Sequence, residues 1–248
     1  MTLNLVPCKM ASALNTCPLL DTVSCLQERV ASLSAAVQQI CKSCTDQVFI
    51  LALEACDHFL ECLLAATALG GIAAPLNLRW GQREVTAALQ TCKPVAVFAD
   101  AAGLKLLADE PLIAGLPTIH ISPGQLPSKF SPSDQLSQRS GHEYQLEDLI
   151  NQHREAVLQP VSSSSGAALI CFTSGSTGQP KGALISHTAL HCQGMAKAVQ
   201  LRYCRQDTYL HCLPLFHIGG LSSMLAMLMV GAMQVWLAAC LCARQRLF

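Results

Sequence analysis

The residues best suited to chemistry lie together: Cys171 to His187 read CFTSGSTGQPKGALISH, with three glycines, five hydroxyl-bearing residues and one lysine. Gly175 and Gly178 let the backbone turn and aim its N–H groups at an anion without Cβ obstruction. Thr173, Ser174, Ser176 and Thr177 offer hydroxyl donors, and Lys181 adds a mobile positive charge. Those residue types together suit a phosphate cradle. The spacing is not that of a Walker A loop, because Pro180 stands where its second glycine belongs, nor is it GxGxxG. A Ser/Gly surface linker would share the composition. The apolar run before the stretch and PKGALISH after it, with ALI returning to the core, instead predict a loop between two strands.

Other groupings carry less chemistry. Cys41-Lys-Ser-Cys44 is a lone CxxC with no second pair at zinc-finger spacing, and a structural zinc site needs four ligands. His187 and His191 share a face if helical, but no HExxH accompanies them. The 14 cysteines are scattered from Cys8 to Cys242, unlike the framework of a small secreted domain, which predicts reduced, mostly packed thiols.

The elements around the glycine stretch alternate. Leu26, Val30, Leu33, Ala36, Val37 and Ile40 follow a helical rhythm, and QVFILAL (Gln47–Leu53) reads as a buried strand. A helix from His58 to Leu69 ends at Gly70-Gly71, which can supply a left-handed cap. IAAPLNLRW reads as a strand into a turn, followed by a helix from Arg83 to Leu89. PVAVFAD (Pro94–Asp100) and PTIHI (Pro117–Ile121) are further strands, with a helix at about Ala102–Leu107 between them. Ser122–Gly141 is Ser-, Pro- and Gln-rich and reads as a loop. A short helix near Tyr144–Ala156 and a flexible Ser162–Ser165 run precede the strand AALICF (Ala167–Phe172). Repeated strand–helix–strand units predict the α/β class: layered, mostly parallel sheets flanked by helices. The strands at Gln47–Leu53, Pro94–Asp100 and Ala167–Phe172 are expected to be central.

Composition narrows the function. The 248 residues are 51% apolar and only 13% charged, with Lys+Arg and Asp+Glu both 16. No basic stripe interleaved with aromatics supports nucleic-acid binding. The run His217–Ala243 carries no formal charge, so a membrane helix competes there with a core helix from Gly219-Gly220 to Gly231 followed by a strand MQVWLA. The acid-poor first twenty residues and the terminal RQRLF match neither an Arg-rich transit peptide nor a Ser-Lys-Leu signal, leaving cytoplasm, plastid and peroxisome open.

FTSGSTGQPKG resembles the phosphate-loop signature of the adenylate-forming superfamily of acyl-CoA synthetases, luciferases and peptide-synthetase adenylation domains. GGIAAPLNLRWGQREVTAAL (Gly70–Leu89) is similar to a segment upstream of that loop, and DTYLHCLPLFHIGGLSSMLAMLMVGA (Asp207–Ala232) to one downstream. Within the superfamily, PLFHIGGLSSMLAMLMVGA most resembles the plant-type o-succinylbenzoate–CoA ligases of phylloquinone and menaquinone synthesis. The resemblance implies a two-step reaction with ATP, Mg²⁺ and CoA on a small carboxylic acid. Thr173, Ser174, Gly175, Ser176, Thr177, Gly178 and Lys181 would bind the departing phosphates. His217 would line the acyl pocket, with Phe216, Gly219 and Gly220 shaping the same wall.

On that resemblance the chain divides into an N-terminal helical segment (1–45), a partial adenylation domain (46–232) and a divergent tail (233–248). The family's YG.TE and TGD motifs and its C-terminal domain with a catalytic lysine are not found between Met233 and Phe248. The expectation is an incomplete portion of a ligase, inactive alone. The alternative is a non-catalytic remnant, or a partner or regulator of a full-length ligase.

Overall fold

The computed structural model describes residues 23–122, 142–174 and 179–236. Its element order is α1 (Val23–Ile40), β1 (Val48–Ala52), α2 (Asp57–Ala68), β2 (Ile72–Pro75), α3 (Gln82–Cys92), β3 (Ala96–Ala99), α4 (Ala101–Leu106), a 3₁₀ turn (Pro111–Ile113) and β4 (Thr118–His120). There follow β5 (Glu143–Gln145), α5 (Leu146–Gln152), β6 (Ala167–Ser174), β7 (Pro180–Ser186), α6 (His187–Gln200), β8 (Thr208–His211), α7 (Ile218–Val230) and β9 (Met233–Trp236).

Seven strands form one sheet in the order β5-β4-β3-β1-β2-β6-β7, parallel throughout except for the antiparallel β6–β7 pair. β8 and β9 form a second, two-stranded parallel sheet. The period-2 geometry of a strand explains why β1 reads as a continuous apolar run. Phe49 and Leu51 enter a core shared with α1, α2 and α5, while Val48, Ile50 and Ala52 enter another shared with α3 and residues next to α4. Burying each of the four larger side chains stabilises by about 1.5–3 kcal/mol. The result is three layers, helix–sheet–helix.

Four local expectations are corrected. Tyr144 begins no helix: it pairs with Ile119 in β5, and α5 starts only at Leu146 and ends at Gln152. Of the strands expected to be central, β1 and β3 are, but β6 lies one strand in from the antiparallel edge. Only part of the ALI of β7 returns to the core: Ile185 is half-buried and packs against it, whereas Leu184 is 60% exposed, and among the described residues β7 pairs only with β6. Finally, the Ser162–Ser165 run is anchored by side-chain bonds. Ser163, Ser164 and Ser165 hydroxyls all donate to the Asp46 carboxylate, at 2.6 Å for Ser163 and for Ser165. These bonds hold the Asp46 carboxyl below its usual range. Apart from Ser122, the Ser122–Gly141 loop lies outside the described residues.

The downstream apolar run folds as a core helix and a strand. α7 has 13 residues and ends at Gly231, whose φ of +71° is the left-handed conformation that glycine adopts without a Cβ penalty. No helix among the described residues is long and apolar enough to cross a membrane.

The helices on one face are joined by a buried ionic network. Arg29 of α1 donates from Nε to Glu61 of α2, and from Nη1 and Nη2 to Glu147 of α5 at 3.1 and 2.6 Å. Burial would raise the Glu147 carboxyl, but the nearby His58 and hydrogen bonds from Arg29 bring it down to about 2. On the small sheet, burial lowers the His211 imidazole to about 4, against its bond to Gln234 (2.8 Å). His211 also stacks on Trp236, with ring centroids 4.0 Å apart.

These two shifts act in different pH windows. Between its ordinary value of 6.5 and about 4, His211 is protonated only in the unfolded chain, so stability falls as pH drops through that range. Glu147 contributes fully above its ordinary 4.5 and loses its contribution as pH falls toward about 2. The urea midpoint, followed by Trp236 emission in a Trp80→Phe background, is therefore expected to fall as pH drops from 6.5 to 4. His211→Gln should flatten that dependence, and a dependence unchanged by His211→Gln would refute the assignment.

Candidate active site

Strand β6 carries the glycine stretch to the C-terminal edge of the parallel sheet, the edge where open α/β sheets bind ligands. The antiparallel register sets Thr173 opposite Lys181 and Ser174 opposite Pro180. Thr173 Oγ1 donates to the Lys181 carbonyl at 3.3 Å, tying the hairpin at the base of the loop. Gly175, Ser176, Thr177 and Gly178 lie outside the described residues. The Lys181 side chain is exposed and forms no ion pair among the described residues. Its charge is available to an anion at this edge. No Asp or Glu occurs from Ala167 to Ser186, so the hairpin offers cation and hydroxyls without a competing carboxylate.

Two other stretches meet β6 from opposite faces, following its strand alternation. Phe172 faces one core, where Trp80, just after β2, packs edge-on against it with centroids 5.4 Å apart. Cys171 faces the other core, and its Sγ lies 4.0 Å from the Phe216 carbonyl oxygen. The structure thus brings together the three segments singled out from sequence.

Phe216 and His217 form the turn into α7. His217 is the N-cap residue of that helix and is exposed; its ring lies 4.5 Å, centroid to centroid, from that of half-buried Phe216. Gly219 is exposed, and its carbonyl accepts from Ser222 and Ser223 hydroxyls at 3.2 and 3.0 Å. Lys197 of α6 donates to the same two hydroxyls at 3.1 and 2.6 Å, fixing α6 against α7. No local sequence pattern pointed to that clamp, nor to the Cys171 and Trp80 contacts, because their partners lie far apart in the chain. His187 and His191, expected to share a helix face, do lie on α6.

Gly220 is buried where α7 approaches the preceding turn. A Cβ there would lie 2.4 Å from the Pro214 carbonyl oxygen, whereas at Gly219 the nearest atom would be Leu213 Cδ1 at 3.9 Å. Alanine normally improves a helix by up to about 1 kcal/mol over glycine. Gly219→Ala is expected to follow that rule, while Gly220→Ala is expected to destabilise by about 1–3 kcal/mol through overpacking. Urea unfolding of the two variants checks the difference, and equal midpoints would contradict it.

Comparison with known proteins agrees with this arrangement. The family model for AMP-binding enzymes matches residues 22–243. The chain is 38% identical over 215 residues to the chloroplastic/peroxisomal 2-succinylbenzoate–CoA ligase of Arabidopsis thaliana, covering 84% of this chain and 36% of that protein. It is 27% identical to a medium-chain-fatty-acid–CoA ligase of Ectopseudomonas oleovorans, covering 85% of this chain and 38% of that one. The ATP-bound crystal structure of MatB from Rhodopseudomonas palustris superposes with a TM-score of 0.67 at 22% identity, over 87% of this chain and 40% of that one. The chain therefore spans little more than a third of the length of these curated relatives.

Proposed function

The chain belongs to the AMP-binding enzyme family, and from that premise we propose that it forms the triphosphate-gripping part of an ATP-dependent acid–CoA ligase. The observation that carries this reading is the β6–β7 hairpin, with an exposed Lys181 opposite Thr173 at the C-terminal edge of the sheet. In such a ligase the substrate carboxylate attacks the α-phosphorus of ATP, pyrophosphate leaves, and an acyl-adenylate forms. The CoA thiol then attacks the acyl carbonyl and AMP leaves. Thr173, Ser174, Gly175, Ser176, Thr177, Gly178 and Lys181 hold the β- and γ-phosphates and offset the charge that builds on the departing pyrophosphate. Phe216, His217, Gly219 and Gly220 line one wall of the acyl pocket. Because the hairpin has no carboxylate, Mg²⁺ would be held here chiefly by the phosphates themselves.

The acid we favour is 2-succinylbenzoate, on the higher identity to the Arabidopsis ligase than to the medium-chain ligase. Residues 1–236, which keep β9, would be joined to the remaining portion of the Arabidopsis enzyme and assayed with 2-succinylbenzoate, medium-chain fatty acids and benzoate. A preference for 2-succinylbenzoate is expected, and a preference for a fatty acid would overturn the substrate assignment. By itself the chain is expected to form no acyl-CoA.

A further inference from the structure

At the start of α2, outside the proposed phosphate site, three successive side chains converge. The backbone is extended at Cys56 (φ −154°, ψ 176°) and helical from Asp57, which turns Cys56, Asp57 and His58 toward a common point. Cys56 Sγ, an Asp57 carboxylate oxygen and a His58 ring nitrogen all lie within 4.8 Å of one another. In tetrahedral zinc sites, bond lengths of about 2.0–2.3 Å place ligand atoms about 3.5 Å apart, so only a small closure is needed. We propose that Cys56, Asp57 and His58 form a binding site for a divalent cation of the zinc class, with the fourth position open.

A second observation points the same way. His58 is 3% exposed, and its two ring nitrogens face different partners. Nδ1 lies 2.8 Å from Asp57 Oδ1, and Nε2 lies 3.6 Å from Glu147 Oε1. A metal-ligating histidine usually presents its other N–H to a carboxylate that fixes tautomer and ring orientation. Glu147 stands in that position, itself held by Arg29. The local charge also leaves room for a cation: among the described residues, the ion pairs of Asp57, Glu61 and Glu147 are with Arg29 and His58. The donor set of thiolate, imidazole and carboxylate suits zinc rather than magnesium or calcium. The N-terminal helix dipole opposes a cation by about 0.3–1 kcal/mol, which a thiolate and a carboxylate outweigh.

The exchange balances without redox chemistry. The cation takes the place of two protons, one from Cys56 Sγ and one from His58 Nδ1, and both pass to solvent. His58 keeps its Nε2 proton toward Glu147.

The test titrates Co²⁺ into the reduced chain 1–248. A thiolate-to-cobalt charge-transfer band saturating at one equivalent is expected, and Zn²⁺ should displace it. Cys56→Ser should abolish the band, whereas Cys41→Ser and Cys44→Ser should keep it, since those thiols lie elsewhere. Glu147→Gln should weaken binding about 10–100-fold as an orienting group. Because Glu147 and His58 are embedded in the helix layer, the half-buried Asp57→Asn provides a second variant. It should weaken binding while the folded chain keeps its helical circular dichroism. A folded wild-type chain with no charge-transfer band, or a band that survives Cys56→Ser, would overturn the site.

Discussion

Replacing Arg29 with alanine is expected to cost about 3–5 kcal/mol, a large share of the about 5–15 kcal/mol that holds a domain folded. The residue is 8% exposed and its guanidinium is shared between Glu61, fully buried on α2, and Glu147 on α5. Removing it leaves the two carboxylates in the helix layer without the guanidinium they share, with His58 the remaining cation near them. The size of the effect reflects that abandoned charge rather than the worth of the ion pairs. Replacing Arg29, Glu61 and Glu147 together by apolar residues of similar volume should therefore cost much less than Arg29→Ala alone. Urea midpoints of the two variants check this. A single variant as stable as the parent would show that water reaches the network.

Removing the Lys181 charge should act on chemistry and leave folding intact. In the protein completed with the Arabidopsis portion, Lys181→Ala is expected to lower carboxylate-dependent pyrophosphate exchange about 10²–10³-fold, the usual cost of one lost charge-stabilising contact. Lys181 is exposed on an edge strand, so its thermal midpoint should stay within the range of surface substitutions. Gly178→Val should lower exchange as well, by placing a branched side chain where backbone N–H groups must approach phosphate. Unchanged exchange in both variants would remove the hairpin from the mechanism.

Much of this arrangement was legible in the sequence because its signals are local. The unbroken apolar run of β1, the Gly70 and Gly231 helix ends and the strand–loop–strand order of β6 and β7 each follow from neighbouring residues. β5 was not legible: Glu-Tyr-Gln has no apolar run, and only pairing with β4 makes it a strand. The exposure of Leu184 is not legible because ALI has the composition of a core strand, while its burial depends on what lies beside it. The anchoring of Ser163–Ser165 on Asp46 and the Arg29–Glu61–Glu147 network join residues distant in the chain. Polar pairing over such distances leaves no periodicity to read. The same holds for the candidate site: glycines and hydroxyls mark the stretch as a candidate from sequence alone, but the meeting of Trp80 and Phe216 with β6 requires the fold.

The central claim is that the β6–β7 hairpin grips the triphosphate of an acid–CoA ligase. Its most direct measurement is 2-succinylbenzoate-dependent exchange of labelled pyrophosphate into ATP by the completed protein, with and without Lys181→Ala, followed by thioester formation when CoA is added. Exchange should require the acid, a thioester should require CoA, and Lys181→Ala should abolish both. A folded completed protein that carries out neither step with any of the acids tested, or does both equally well without Lys181, would contradict it.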